Sequence, residues 1–322
     1  MMANIVGALV HLCIFPGGLF ALLVALYLKG IDRRLAARLQ SRVGPPLSQP
    51  IYDIAKLLTK ETLIPRTACK PIFLLAPVIG MTGMAACAAF IPVPGVFDGM
   101  PDMGDLLVLF YLLPIPAIAI MLGGSSSSSP FGAMGFSREM LVMLSYELPL
   151  LMVILTVAMM TGKAAGSGTA DFSLLSIVQY QLENGQFGLN PVMIPAFVAY
   201  LMFLPGTMGV PPFDIAESET EILEGPMLEY GGPLLALFQI GSAFKTFVIL
   251  GLGVVLFFPG CIGDFWLVNL IWFLVKCLLL MFFSITLVRT ATGRFRIDQA
   301  VRFYFRIPTA LALISLVLVI LV

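Results

Sequence analysis

Six carboxylates, Asp214, Glu217, Glu219, Glu221, Glu224 and Glu229, crowd the stretch from Pro211 to Gly232, and no lysine or arginine stands among them. Like charges at that density repel, so the stretch needs bound protons, a cation or a basic partner. Elsewhere carboxylates are sparse: the chain has 18 in all, and charged residues make up 11% of it against 59% hydrophobic. Three further ionisable groups, Glu147, Lys245 and Lys276, fall inside long apolar runs. A charge at the centre of a bilayer costs about 2.5 to 3.5 kcal/mol on insertion scales, so such groups face a bundle interior or a water-filled path. The chemistry this points to is proton transfer; the alternative for each is a structural Glu–Lys pair that locks helices together. Glu139 and Glu147 are eight residues apart on one helical run. That places them about 12 Å apart along the axis, as successive proton stations with water between them.

Within the acidic stretch, Pro211 and Pro212 stop the preceding span, and Asp214 followed by Glu217 has the form of a capping box. Gly225 suits the position just past a helix, so Ile215 to Glu224 is predicted as a short helix carrying Glu217, Glu221 and Glu224 on one face. Capping accounts for Asp214 and Glu217. It leaves Glu219, Glu221, Glu224 and Glu229 to be explained, either as a functional junction or as a solvated acidic surface. Tyr230-Gly231-Gly232 predicts a close turn back into the membrane.

The elements that hold these groups are membrane helices. A mean hydropathy of +1.02 over 322 residues, with apolar runs of bilayer length throughout, makes the chain an all-α, polytopic membrane protein, a single integral membrane domain over 1–322. Eight spans are expected, over 5–28, 71–92, 104–122, 138–160, 190–208, 233–257, 264–288 and 302–321. The first is read as a retained helix, since no small-residue cleavage site follows it. His11 is the only histidine and the five cysteines form no CxxC, so neither a metal site nor catalytic residues are expected here, and any redox cofactor belongs to other subunits. Equal numbers of basic and acidic residues give no sign of a nucleic-acid partner; the partner the composition demands is a lipid bilayer.

The loop from Lys29 to Lys70 carries nine basic residues, the segment from Arg289 to Arg306 five more, and with Arg138 these put 15 of the 18 Lys and Arg on one face. The positive-inside rule makes that face cytoplasmic, the acidic loop cytoplasmic and both termini external. After Ser48 and Pro50, Ile51, Ile54, Ala55 and Leu58 recur at helical spacing, with Asp53, Lys56 and Lys60 opposite, which predicts an amphipathic cytoplasmic helix on the membrane or under a partner. The stretch from Gly123 to Ser137 reads as a small, flexible loop. Phe172, Leu175, Ile177 and Val178 predict an interfacial helix, and Asp98, Asp102 and Asp105 mark the outer end near the third span.

Three stretches together resemble a known family: QSRVGPPLSQPIYDIAKLLTKE (Gln40 to Glu61), SREMLVMLSYELPL (Ser137 to Leu150) and PPFDIAESETEILEGPMLEYGG (Pro211 to Gly232). They are similar to the membrane subunit shared by respiratory complex I, there called NADH dehydrogenase subunit 1 or the H subunit, and by energy-converting membrane-bound hydrogenases. The quinone-reducing branch typically reads Gly-Pro-Asn after the arginine of the first loop and Gly-Tyr after the acidic helix. Here Arg42 is followed by Gly44, Pro45 and Pro46, and Glu224 by Gly225 and Pro226, which looks like the hydrogenase branch of Ech-type and formate hydrogenlyase-type enzymes.

The resemblance implies a protein of the cell inner membrane that anchors a soluble arm of hydrogenase large and small subunits and an Fe–S subunit, beside an antiporter-like membrane subunit. The nickel–iron site and the iron–sulfur clusters would lie on those chains. It also implies an acidic path from the arm into the membrane through Asp214, Glu217, Glu219, Glu221, Glu224, Glu229, Glu139 and Glu147; Lys245 and Lys276, picked out by their place in apolar runs, are expected on the same path. Arg42, Gly44, Pro45, Pro46, Asp53, Lys56, Lys60 and Glu61 are the expected partner interface. The competing readings are the quinone-site subunit of a respiratory dehydrogenase and a purely structural anchor. A stand-alone transporter is disfavoured, because the span pattern shows no inverted repeat.

Overall fold

In an environment without water a backbone has to satisfy its own N–H and C=O groups, and the apolar runs of this chain do so as helices. The computed structural model describes residues 13–99, 105–164, 170–263 and 265–321. In chain order the helices are α1 (Gly18–Leu39), α2 (Gln49–Leu58), α3 (Lys70–Phe90), α4 (Leu106–Leu112), α5 (Ile115–Ser126), α6 (Pro130–Ala164), α7 (Leu174–Asn184), α8 (Ile194–Thr207), α9 (Glu219–Ile222), α10 (Gly232–Phe257), α11 (Trp266–Met281), α12 (Leu287–Ala291) and α13 (Ile297–Leu321). Pro50, Pro71, Pro116, Pro195 and Pro233 sit in first turns, where the missing N–H costs nothing.

The bundle is organised around α10, 89% of whose apolar window is buried. It packs against α1, α2, α3 and α11, while α13 lies along α6 and α8. Lys163 ties α6 to the end of α13, its amine donating to the carbonyls of Val319 (2.8 Å) and Ile320 (2.9 Å).

Among the described residues, six helices are long and apolar enough to cross a membrane, α4 and α5 counting as one run over Leu106–Ser126 and α11 continuing to Ala291. They correspond to six of the expected spans. The span expected over 190–208 is the shorter apolar helix Ile194–Thr207. The span expected over 5–28 lies partly outside the described residues. Its described part, α1, runs on through Lys29, Asp32, Arg33 and Arg34 to Leu39, so the basic loop expected from Lys29 begins only after that helix.

Other expectations are corrected. The stretch from Gly123 to Ser137 is no flexible loop. Ser125, Ser126 and Ser127 donate their hydroxyls to carbonyls three residues back, which closes α5, and the chain reverses within Ser127, Ser128 and Ser129 into α6. In α2, Ile54 is buried and Ile51 half-buried, but Leu58 and Ala55 face outward. Asp53 turns toward α1, accepting from Arg33 (2.9 Å) and Gln49 (2.8 Å). The helix expected around Ile177 forms as α7 and packs on α6 and α10. Its Gln181 donates to Val255 O of α10 (3.1 Å). Asp102 lies outside the described residues.

Candidate functional site: a charged chamber beneath a clamped acidic loop

The loop after α8 is not the helix its acidic spacing predicts. Only Glu219–Ile222 is helical, its N-cap is Ser218, and Asp214 and Glu217 form no capping box. An arginine from a distant element takes Asp214 instead. Arg294 Nη2 donates to Asp214 (2.6 Å), and its Nη1 donates to Ser218 Oγ (3.0 Å) and Thr220 Oγ1 (2.9 Å). Arg138 of α6 donates to Ile215 O (3.4 Å) and pairs with the exposed Glu221 carboxylate. Leu223, Glu224 and Gly225 then adopt left-handed φ values of 52°, 67° and 51°. Two of these three residues carry a Cβ, so the turn is strained and is held by its surroundings. It drops Pro226 onto Gly135 and Gly124, against which no larger residue fits.

Tyr230 closes the segment, stacking on Phe73 with ring centroids 4.1 Å apart and donating to Phe73 O (3.1 Å). Beneath the loop lies a cavity of about 460 Å³. Its wall includes Lys29 of α1, Glu139 of α6, Thr207 of α8, Asp214, Glu217 and Glu224 of the loop, Lys245 of α10 and Arg289 of α12. Met81, Ile120, Val142, Phe213 and Phe238 supply apolar wall between them.

Lys245, 8% exposed, is within electrostatic reach of Glu139, Glu217 and Glu147. A buried ammonium needs such partners, since alone it would lose its hydration without compensation. Glu217 lines the chamber and remains exposed at its mouth. Enclosure pushes its carboxyl up to about 7; Glu139 and Asp214 add to the rise, while Lys245 and Lys29 oppose it. Such a group exchanges a proton near neutral pH.

The expected path residues separate into groups. Glu139, Glu217, Glu224, Asp214 and Lys245 meet at the chamber. Glu147 is half-buried and within reach of Lys245; its Oε1 is buried without a hydrogen-bond partner. Tyr146, buried between the two α6 glutamates, interacts with both. Glu221 faces outward in the Arg138 pair, Glu229 lies outside the chamber wall, and the Glu219 side chain lies outside the described residues.

Lys276 stands apart. Its amine donates to the carbonyls of Phe258 (2.7 Å) and Gly260 and lies 5.4 Å from the Trp272 ring centre. That is the far end of α10, about 20 Å along the axis from Lys245. Of the expected interface, Arg42 bonds Gln40 (2.5 Å), Gly44 packs on Arg34 and Ala37, Pro45 is half-buried, and Pro46, Lys56, Lys60 and Glu61 are exposed. Tyr52, Leu58 and Leu63 are exposed beside them.

The sequence reading missed Lys29, Asp32, Ser242, Arg289 and Arg294 as site residues. Lys29 donates to Ser242 Oγ (2.8 Å), and Asp32 accepts from Thr286 Oγ1 (2.7 Å) and Arg289 (3.1 Å). Thr286 ends a π-helical turn, Phe282–Thr286. The only available signal was the 29/32 spacing, which puts Lys29 and Asp32 on one face of a continuing helix.

Comparison with known proteins follows the same lines. A family model described as NADH dehydrogenase matches residues 13–320. The NADH-quinone oxidoreductase H subunit of Syntrophotalea carbinolica is 33% identical, with 92% of this chain and 90% of the relative covered. That of Dehalococcoides mccartyi is 33% identical over 96% of this chain and 85% of its own. Among solved structures, a chain of the membrane-bound sulfane sulfur reductase, an archaeal respiratory membrane complex, superimposes with a TM-score of 0.85 at 28% identity, covering 97% of this chain and 99% of that one.

Proposed function

Because the chain belongs to the NADH dehydrogenase family of complex I-like membrane subunits, we propose that it anchors a soluble redox arm and couples that arm's reaction to ion translocation. The observation that carries this is the chamber itself. Glu139 and Glu217 meet Lys245 in one chamber under a loop held by Arg138 and Arg294, and Glu147 continues the acidic groups along α6. A change of charge in the arm above the loop acts on the proton affinities of Glu217 and Glu139, and through Lys245 on Glu147. By linkage, an imposed ion gradient acts back on the redox step.

In this reading the arm is that of a ferredoxin-dependent [NiFe] hydrogenase, supported by the Arg42/Gly44/Pro45/Pro46 and Glu224/Gly225/Pro226 variants. Nickel–iron and iron–sulfur centres then belong to hydrogenase large, small and Fe–S subunits, beside an antiporter-like membrane subunit. The exposed Tyr52, Leu58 and Leu63 with Lys56, Lys60 and Glu61 form the docking surface. The basic face is cytoplasmic and both termini are external.

The test uses the purified complex in vesicles. Glu147→Gln should abolish ion movement while hydrogen evolution from reduced ferredoxin persists or becomes uncoupled. If both stay unchanged, the path is wrongly assigned; absence of nickel and of hydrogenase chains from the complex removes the hydrogenase assignment.

The chamber's apolar wall and its volume, within the roughly 300 to 1,000 Å³ of small-molecule sites, favour one second reading, a quinone headgroup site. Quinone-dependent turnover of the purified complex would decide for it.

A further inference from the structure

The basic end of α13 carries two arginines that the fold leaves without a counter-charge. Arg33, Arg138, Arg289 and Arg294 each pair with a carboxylate. Arg302 and Arg306, one turn apart on the exposed side of α13, have no ion-pair partner among the described residues, and Asp298, one turn earlier, is exposed and not bonded to Arg302. Below them the same helix face continues as Leu313, Val317 and Leu321, all exposed, with Phe305 and Ile307 flanking Arg306.

Pro308 marks the boundary between the two halves. It removes the N–H that would serve Tyr304 O, and Thr309 Oγ1 takes that carbonyl at 2.8 Å. On one side the exposed face is basic, and on the other it is apolar. Among the described helices long enough to span a membrane, α13 is the least buried.

A guanidinium at the rim of a lipid-facing stripe stands between water and the headgroups. It extends toward the headgroups, and its planar fork matches a phosphate in bidentate fashion. We infer that Arg302 and Arg306 bind the phosphate of an anionic phospholipid whose acyl chain lies along Leu313 and Val317. An amphiphile with an anionic head complements both halves of this face at once, and this inference does not rest on the ion-coupling reading above.

Native mass spectrometry of the purified complex, titrated with phosphatidylglycerol or phosphatidylcholine, tests it. The unmodified complex should retain phosphatidylglycerol in preference. The R302Q/R306Q double variant should lose that preference by about 25-fold, roughly fivefold per arginine, and R302K/R306K by less, since charge remains and the fork is lost. R296Q, which removes an exposed arginine ahead of α13, should change nothing. Equal retention by the double glutamine variant overturns the inference. So does loss of a partner subunit from that variant, which would mean that a protein covers this face. Glu147→Gln should leave lipid retention intact, so the two readings fail separately.

Discussion

Arg294 reaches across 80 positions of chain to hold Asp214 at 2.6 Å, and the same guanidinium takes the hydroxyls of Ser218 and Thr220. The lid of the chamber is therefore fastened from α13's approach segment and not by its own helix cap. Arg294→Ala releases all three partners at once. The pair is partly exposed, so the expected cost is modest, about 1 to 3 kcal/mol, and local. Hydrogen exchange of residues 214–222 should accelerate at least about tenfold while the spans stay protected.

Glu217 gives the site its pH dependence. Its carboxyl is raised from 4.5 to about 7, so between those values the folded protein binds a proton that the unfolded chain has released. The loop is accordingly most stable below about pH 4.5 as far as this group is concerned, and loses that contribution as pH rises through about 7. A carboxyl infrared band that titrates near neutral pH and vanishes in Glu217→Gln is the expected observation; a band titrating near 4.5 contradicts the enclosure.

Lys245→Met removes the cation that holds Glu217 down against Glu139. The same band should then titrate at higher pH, and ion movement in vesicles should fall even if the complex assembles.

Lys276→Met makes the contrast. It strips the cap from the Phe258 and Gly260 carbonyls, costing about 1 to 3 kcal/mol of stability, with no effect on the Glu217 titration. A shift of that titration would tie Lys276 to the chamber after all.

Gly135→Ala drives a methyl group into Pro226. Overpacking of this kind costs about 1 to 3 kcal/mol, and here it acts on the strained turn at Leu223, Glu224 and Gly225. The variant should lower the melting temperature of the complex and loosen the acidic loop together; Gly231→Ala, with nothing within 4 Å of the added carbon, should do neither.

Hydropathy and charge placement alone determined that the chain is a helical membrane protein, because the bilayer admits few backbone solutions and each leaves a long apolar run. They also singled out Glu147, Lys245 and Lys276, since a charge in such a run is costly enough to stand out; Glu217, in the acidic loop, reads as a capping residue. Local rules failed where a distant partner outbid them. Asp214 and Glu217 have the spacing of a capping box, yet Arg294 takes one and the chamber takes the other. Five serines after two glycines look flexible, yet the hydroxyls of Ser125, Ser126 and Ser127 close α5 and Gly124 packs on Pro226. Which acidic residues share a space with Lys29 and Arg289, and which merely face outward, depends on helices brought together from opposite ends of the chain. That is a property of packing, and no window of sequence contains it.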